Sequence, residues 1–496
     1  MISLITFAPA IAALLILFTS DEKPRVIRLV AFFGSFFSLF LTLMVWVKFD
    51  PAGGLQFVER HSWISLIGVD YFVGVDGVSL LVILLTAILF PICLLASGDQ
   101  GERSKTYFFL ISLQFTGLFG AFTALNFFHW FLFWEAALVP AFFLIKLFGG
   151  EDRDSAALNF FLFTVLGSVA MLIGFIAVFL EVDSFDFIEL AELGASGELF
   201  SSLGSAYPFI FLAILVGLWV KVPLFPLHLW QPSAYAEAPT AVSMLLTGVL
   251  SKMGVYAFLR LVVPLFPEAL REYSSILLGL ALVTILWGAF LALRQTDLKK
   301  LLAYSSLNHV AYCMLGIFAA AAGTSVLSDA AQLSLQGATL QMFAHGVAAA
   351  GLFYGIGLLE ERRGMRELDS FGGIGKVMPR FAVFFYILTF CSIGLPFLAG
   401  FAAEFLIFGG SFAHAPVVTS ISVIGLLATA VFLLTVLQKV FTGPLCKEGE
   451  SFGDLSTEET STLLPLLVLV FWVGIAPAAW LELSETSISA LSALFR

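Results

Sequence analysis

Charged residues are scarce in this chain, and their scarcity excludes most soluble architectures. Only 12% of the 496 residues are Asp, Glu, Lys or Arg, whereas 60% are hydrophobic. A soluble protein of this length would carry roughly a quarter charged residues, so too few are present here to build a water-facing surface. The basic residues also form no cluster typical of nucleic-acid binding. The predicted solvent is therefore the bilayer, and no nucleic-acid partner is expected.

Cysteine is rare as well. The four cysteines are scattered without paired spacing, which argues against a disulfide framework, an iron–sulfur centre or a zinc site. The sequence also lacks a motif for a nucleotide or a redox cofactor. Moving one charge against a membrane potential requires about 2.3 kcal/mol per 100 mV. Any such work would need energy from partner proteins or from the gradient of another ion.

Long apolar runs are what the sequence has in abundance. Runs of about 18 residues or more can each cross the hydrocarbon core, and here they are continuous rather than alternating, which favours helices over a barrel. We predict an all-α polytopic membrane protein with about fourteen transmembrane helices. The predicted spans cover residues 2–19, 27–47, 76–97, 107–125, 127–148, 158–180, 208–230, 238–262, 275–293, 299–319, 336–359, 378–413, 418–442 and 462–482.

The distribution of basic residues predicts the orientation. Lys and Arg gather on the cytoplasmic side of membrane proteins. If the N-terminus lies outside, most of the 24 basic residues fall in inside loops or at inside helix ends, among them Arg103, Arg153, Arg362 and Lys376. We therefore predict a multi-pass protein of a bacterial inner membrane with its N-terminus outside.

Two predicted spans contain prolines in mid-membrane. The seventh has Pro223 and Pro226 shortly after Lys221, and the twelfth has Pro396 ahead of Glu404. Proline removes a backbone donor and clashes with the preceding turn, so both helices should be discontinuous. Interrupted helices in both halves of a transporter indicate two inverted repeats with the ion path at the breaks.

This reasoning divides the chain into four units. Residues 1–106 would form transmembrane helices 1–3, and residues 107–262 the first repeat with helices 4–8. Residues 263–442 would form the second, inverted repeat with helices 9–13, followed by helix 14 within residues 443–496.

Four ionisable residues fall inside predicted spans. Lys221 and Lys252 lie roughly 20 Å from their span ends at 1.5 Å per residue, and Glu135 and Glu404 lie in the fifth and twelfth spans. Each buried charge costs several kcal/mol unless it is paired or hydrated. Structural ion pairs that lock helices together are one explanation. The other, which we favour, is a proton relay, because burial disfavours a charged amine and a nearby carboxylate favours it again.

Histidines inside the spans are the next candidates. Imidazole can both accept and donate a proton near neutral pH. His309 belongs to a polar stripe in the tenth span, and His345 lies well inside the eleventh. A relay and a simple hydrogen bond to a neighbouring helix both stay open for them. His129 and His228 lie near span ends and are predicted to be interfacial.

Charged residues at span ends have ordinary explanations. Lys299 and Lys300 head the tenth span from the inside, where anchoring is the usual role and a proton entrance is the alternative. Glu360 borders a basic loop and is predicted to be solvated. Asp76 opens the third span on the outer side, where a carboxylate stabilises the first amides of a helix.

The segments that carry these residues resemble the antiporter-like subunits of respiratory complex I, and among them the M-type subunit, whose mitochondrial counterpart is subunit 4. The resemblance covers nearly the whole chain in the right order. Its main segments are 131–140, 221–230, 237–240, 250–256, 295–309, 341–346 and 394–405.

In that family, the positions of Glu135 and Lys221 form the charge pair of a proton pump, and that of Lys252 is the central relay. The sequence departs from the family at Ser233, where many relatives are charged, and at Tyr235, where they have histidine. The resemblance therefore leaves a proton entrance through this loop in question.

The resemblance also implies an end to the relay. The positions of His309 and His345 link the central lysine to a final site at Glu404. Glutamate at this position is typical of the M-type subunit, whereas sister subunits and many Mrp-type sodium/proton antiporter proteins have lysine.

The implied function is proton translocation in the membrane arm of complex I, coupled to NADH:quinone electron transfer in partner subunits. The implied partners are other membrane-arm subunits, including sister antiporter-like subunits, together with lipids and protons. No cofactor is expected in this chain, and FMN, iron–sulfur clusters and quinone would belong to partner subunits. The enzyme activity would be that of the assembled NADH:quinone oxidoreductase.

Two alternatives stay open at this point. One is an Mrp-type sodium/proton antiporter subunit without a redox partner, against which Glu404 argues. The other is a structural or quinone-binding membrane subunit, for example of a related hydrogenase-type complex, whose buried charges only hold helices together.

Overall fold

A computed structural model describes residues 1–323, 328–446, 449 and 452–495. The chain begins with two apolar helices and a β-hairpin that precedes the third helix. These elements are α1 (Ile2–Leu17), α2 (Pro24–Lys48), β1 (Gln56–Ile64), β2 (Val69–Val75) and α3 (Gly77–Ala96). Helices then follow one another to the end of the described chain.

The middle of the chain contains the first discontinuous helix. Its helices are α4 (Ser104–Thr123), α5 (Phe127–Ala136), α6 (Leu138–Phe148), α7 (Arg153–Val182), α8 (Phe187–Ala195), α9 (Glu198–Leu203), α10 (Tyr207–Lys221), α11 (Gln231–Glu237), α12 (Thr240–Leu245), α13 (Ser251–Ala257) and α14 (Val263–Leu265). The gaps in Thr240–Leu265 are π-helical at Leu246–Leu250 and Phe258–Val262, so that α12 to α14 form one continuous span.

The second half contains the longest helices. They are α15 (Pro267–Leu293), α16 (Leu298–Ala321), α17 (Ser328–Arg363), α18 (Pro379–Ile393), α19 (Ala399–His414), α20 (Pro416–Phe441), α21 (Thr457–Ile475) and α22 (Ala478–Ala493).

Among the described residues, twelve helical segments are long and apolar enough to cross a membrane, and α1 and α18 are shorter apolar helices. A multi-pass helical membrane protein is therefore confirmed. The number of fourteen spans and the outside position of the N-terminus stay predictions, as do the unit boundaries 1–106, 107–262, 263–442 and 443–496.

The β-hairpin is the main departure from an all-helical chain. β1 and β2 pair antiparallel, for example Arg60 with Phe72, and a short 3-10 helix joins them. The hairpin is tied to α1, since the Ile2 backbone amide donates to Glu59 at 2.7 Å. β1 carries charges and β2 is short, so neither strand forms an apolar run that a search for membrane spans would find.

The last predicted span ends earlier than expected. α21 stops at Ile475, and Pro477 separates it from α22, because proline cannot continue the backbone hydrogen bonding of a helix. The prediction of one span over 462–482 is therefore wrong at its end. α22 packs closely on the start of α3, where a Cβ at Gly77 would lie 1.9 Å from the Leu483 carbonyl oxygen.

Both predicted helix breaks are present. α10 ends at Lys221, and residues 222–230 form turns before α11 begins. α18 ends at Ile393 and is followed by Gly394, whose φ of +82° favours glycine, and α19 begins after Leu398. In both places the chain leaves the helix next to an ionisable side chain.

The helices differ strongly in burial. The span Thr240–Leu265 is buried over its whole apolar window, and Leu298–Ala321 over 94% of it, whereas Pro416–Phe441 is buried over only 33%. The α12–α14 span, α16 and α17 therefore form the centre of the molecule, and helices such as α20 present an apolar face outward. Sequence hydropathy could not separate these groups, because every span is apolar.

Candidate functional site

Lys252 lies at the centre of the molecule, on α13 between the two π-helical segments. Its Nζ atom donates to the Thr247 carbonyl oxygen, lies 3.2 Å from Ser251 Oγ and 2.8 Å from His345 Nδ1. A π-helical turn takes backbone acceptors out of the regular helical pattern, and Thr247 lies in such a turn. The local structure thus supplies an acceptor for a buried ammonium group.

Two histidines continue from Lys252. The rings of His345 on α17 and His309 on α16 are 5.0 Å apart between centroids. His309 Nδ1 lies 3.4 Å from Gln341 Nε2, and its other ring nitrogen is buried without a hydrogen-bond partner among the described residues. A buried nitrogen without a partner is costly, so this position is suited to exchanging a proton or binding a water molecule.

Glu404 ends the series, on α19 just after the second helix break. Its Oε1 atom lies 3.2 Å from His309 Nδ1, and Glu404 is 3% exposed. Its carboxylate also lies against Gly394, where an added Cβ would approach Oε2 to 2.6 Å. The break therefore makes room for the carboxylate, and glycine is required there for space as well as for its φ angle.

A small cavity lies among these side chains. It has a volume of about 10 Å³, close to the volume that one water molecule needs. It is lined in part by His309, Gln341, His345 and Glu404. Lys252, His345, His309 and Glu404, here called the histidine chain, thus form a continuous polar series across four helices, α13, α17, α16 and α19.

Lys221 and Glu135 form a second site, with different surroundings. Lys221 is the last residue of α10, and its Nζ atom lies 4.7 Å from the centroid of the Trp134 ring. Lys221 Nζ and Glu135 Oε1 are buried, and neither has a hydrogen-bond partner within the part of the chain that the structure describes. Glu135 is close enough to Lys221 to interact with it electrostatically, although the two form no salt bridge among the described contacts.

The turn after Lys221 packs against the helix of Lys252. A Cβ at Gly254 would lie 2.5 Å from the Val222 side chain, so Gly254 allows a close approach. Trp230 Nε1 donates to the Val220 carbonyl oxygen at 3.0 Å, and the Phe225 amide donates to Thr284 Oγ1 at 3.1 Å. The broken segment is thereby held on both sides, and a displacement at Lys221 would reach α13 directly.

Tyr235 lies between the two sites. It is fully buried, and its hydroxyl donates to the Leu246 carbonyl oxygen at 3.1 Å. The Ser251 side chain, which contacts Lys252, is also a hydrogen-bonding partner of this hydroxyl. The residue that departs from the family pattern therefore provides a polar group next to the central lysine.

An ion cluster at the end of the helices that is predicted to face inward was not predicted from sequence. Arg366 lies 2.5 Å from Glu237, 2.7 Å from Asp297 and 3.8 Å from Glu360, and Lys299 lies 2.6 Å from Glu360. Glu360 is thus paired and half-buried rather than solvated, because Lys299 is buried beside it. These five residues are called the inner cluster below.

At the opposite end, Asp76 caps α3 as predicted, since its carboxylate accepts from the Ser79 amide. It also lies 2.8 Å from Arg260, an ion pair that the sequence did not reveal. His129 and His228 are 2% and 1% exposed, so protein covers both side chains, and their interfacial positions stay a prediction.

The family comparison matches a large central part of the chain. Residues 124–431 match the family described as NADH:quinone oxidoreductase/Mrp antiporter, transmembrane. This range includes both helix breaks, the Glu135–Lys221 site and the complete histidine chain.

Curated relatives match from end to end. The NADH-quinone oxidoreductase subunit M of Rickettsia conorii is 36% identical over 502 residues, covering 100% of this chain and 99% of the relative. The F(420)H(2) dehydrogenase subunit M of Methanosarcina mazei is also 36% identical, covering 99% and 98%. Among solved structures, a chain of respiratory complex I from Thermus thermophilus superposes with a TM-score of 0.87 at 28% identity, with both chains covered completely.

Proposed function

Because the chain belongs to the NADH:quinone oxidoreductase/Mrp antiporter family of transmembrane proteins, we propose that it carries protons across the membrane as the M-type subunit of a respiratory complex I. The observation that carries the proposal is the histidine chain. Four titratable side chains from four helices follow one another. Lys252 Nζ lies 2.8 Å from His345 Nδ1, the rings of His345 and His309 are 5.0 Å apart between centroids, and His309 Nδ1 lies 3.2 Å from Glu404 Oε1. Structural ion pairs alone would not require two successive imidazoles.

Proton movement along this series is simple in chemical terms. When Lys252 Nζ gives its proton to His345 Nδ1, an ammonium becomes an amine and an imidazole becomes an imidazolium. His345 passes a proton to His309, directly or through water in the small cavity, and His309 Nδ1 passes one to Glu404. Each step needs only a ring nitrogen that accepts before it donates.

The Lys221 site would control when Lys252 is charged. The lysine over Trp134 is held by a cation–π contact, worth about 0.5–2 kcal/mol depending on desolvation. Moving it to Glu135 would form an ion pair and remove a positive charge from the neighbourhood of α13. Coulomb interactions are strong inside a membrane, so this movement would favour protonation of Lys252.

The energy for transport would come from outside this chain. The proposed partners are the other membrane-arm subunits, including sister antiporter-like subunits, with FMN, iron–sulfur clusters and quinone held by partner subunits. Electron transfer from NADH to quinone would drive the conformational change at Lys221. We place the protein in a bacterial inner membrane with its N-terminus outside, which agrees with the basic inner cluster residues Lys299 and Arg366.

An Mrp-type antiporter subunit is the second candidate, since the family includes such proteins. Glutamate at position 404 and end-to-end identity with M-type subunits support the complex I role. The Methanosarcina relative is named as a subunit of an F(420)H(2) dehydrogenase rather than of an NADH-quinone oxidoreductase. NADH as the electron donor of the assembled complex is therefore tested by a direct assay with NADH.

The proposal is tested with Lys221→Ala and Glu135→Ala in the assembled complex in inverted membrane vesicles. Lys146→Ala is the matched control, because Lys146 also lies over an aromatic ring, that of Phe142 at 5.6 Å, but is exposed at the end of α6. We expect both site variants to assemble and to lose most NADH-driven proton translocation, with the control unchanged. Normal translocation in both site variants would contradict the proposal.

A further inference from the structure

The inner cluster brings together charged groups that are far apart in sequence. Glu237 follows α11, Asp297 and Lys299 lie at the start of α16, and Glu360 lies near the end of α17, followed by Arg366. Besides its ion pairs, Arg366 donates to the Ala236 carbonyl oxygen at 2.7 Å. The cluster therefore connects the end of the first broken helix to the central helices that carry His309 and His345.

The charges of the inner cluster do not balance. Its three carboxylates face two cations, so one negative charge is in excess within the described cluster. The side chains of Glu237 and Asp297 are 3% and 16% exposed, whereas that of Glu360 is 32% exposed. Glu360 is therefore the carboxylate of the cluster that water reaches most easily.

A cavity on the inner side leads to Glu360. It has a volume of about 320 Å³, room for several water molecules. Glu360 and Glu361 line it on one side, Asp99 on another, and Pro239 to Ala241 at the start of α12 on a third. The cavity thus connects inner water to the first turn of the helix that carries Lys252.

Polar groups continue from Lys299 towards Lys252. Lys299 Nζ lies 3.5 Å from the Ala238 carbonyl oxygen, to which Ser243 Oγ donates at 3.1 Å. Ser243 also donates to the Tyr235 carbonyl oxygen at 2.8 Å. At the other end of the same residue, the Tyr235 hydroxyl is a hydrogen-bonding partner of the Ser251 side chain. The Ser251 Oγ atom lies 3.2 Å from Lys252 Nζ.

We propose that Glu360 and Lys299 form the port through which this chain takes up protons from the inner side for Lys252. Glu360 accepts a proton from water in the cavity. Lys299 releases a proton inward through water molecules that the polar groups beside Tyr235 would bind, and it is protonated again by Glu360, so charge and protons balance over one cycle. Arg366 acts as a positioning residue that keeps Glu237 and Asp297 paired. The inference rests on the proposed proton transport and adds the place of uptake.

The test compares Glu360→Ala with Glu361→Ala in the assembled complex in inverted vesicles, where the inner side faces the medium. Glu361 is the matched control because it lines the same cavity but makes no ion pair with Lys299 among the described contacts. NADH:quinone turnover is measured with the proton gradient collapsed by an ionophore. We expect a severalfold loss in Glu360→Ala, no loss in Glu361→Ala, and recovery of turnover on adding formate to the medium.

Formate rescue separates proton uptake from a structural role, because a small weak acid can replace a missing proton carrier but is not attached to α17 and so cannot hold Lys299 and Arg366 against that helix. Turnover of Glu360→Ala equal to that of the parent complex would overturn the port, and so would a loss that formate leaves unchanged. Lys252→Met, measured in the same vesicles, distinguishes the two proposals. If Lys252→Met abolishes translocation while Glu360→Ala is normal, only the port fails; if Lys252→Met is also normal, the proposed function fails.

Discussion

The two halves of the polar axis differ in how their charges are paired. In the histidine chain, Lys252 has three polar neighbours. Glu404 Oε1 makes no hydrogen bond among the described residues, but it lies at ion-pair distance, 3.2 Å, from His309 Nδ1. In the first half, Lys221 Nζ has only the face of Trp134, and Glu135 Oε1 has no hydrogen-bond partner among the described residues. Groups already in contact can pass protons, whereas charges held apart can store and release electrostatic energy. The comparison assigns conduction to one region and switching to the other.

Interrupting the histidine chain should have the largest effect. Replacing both His309 and His345 by phenylalanine keeps ring volume and removes the only imidazoles between Lys252 and Glu404 in the described site. We expect almost complete loss of proton translocation, measured with a pH-sensitive dye, in a complex that still assembles. His61→Phe, on the exposed strand β1, is the control.

Removing the terminal acid should come next. Glu404→Gln keeps the shape but cannot carry a proton, and we expect translocation to fall by roughly tenfold or more. Glu404→Asp retains the acid and should recover part of the rate. If the glutamine variant pumps as well as the aspartate variant, Glu404 is not a proton site and the histidine chain must end elsewhere.

Replacing Trp134, whose ring lies against Lys221 Nζ, should reduce turnover moderately and so test the switching role of the Lys221 site. Trp134→Leu removes a contact worth about 0.5–2 kcal/mol, which should shift Lys221 towards Glu135 and slow turnover severalfold. Trp134→Phe keeps an aromatic face and should lie between the parent and the leucine variant. Equal turnover of the two variants would show that packing, rather than the cation–π contact, matters at this position.

The smallest of these effects should come from Gly394→Ala. Gly394 has a φ of +82°, where alanine costs about 1–2 kcal/mol, and a Cβ would approach Glu404 Oε2 to 2.6 Å. We expect a lower melting temperature of the complex together with a partial loss of translocation. Gly409→Ala is the matched control, since a Cβ there meets nothing within 4 Å and Gly409 lies in the same α19 helix. A melting temperature equal to that of the control would contradict the strain argument.

Much of the site could be predicted because its sequence signals are local. A lysine inside an apolar run stands out by composition, and prolines beside Lys221 and Glu404 mark helix breaks whatever the surroundings. The contacts of the inner cluster could not be predicted in the same way. Arg366 meets Glu237 across 129 positions, and both look like ordinary loop charges until the helices are assembled.

The errors have related physical causes. Hydropathy reports that a span is apolar but not what covers it, so the sequence does not reveal that protein buries His129 and His228. The span over 462–482 was extended across Pro477 because its apolar residues continue past the turn. The β-hairpin was missed because one strand is charged and both are short.

Proton translocation by a Lys252→Met variant, measured per electron pair in inverted vesicles beside Lys146→Met, tests the central claim most directly. Lys252 is the one group of the histidine chain that contacts both His345 and the polar groups leading from the inner cluster. The account predicts an assembled complex that has lost translocation through this chain, with the Lys146 control unchanged. An assembled Lys252→Met complex with the full proton-to-electron ratio would contradict it.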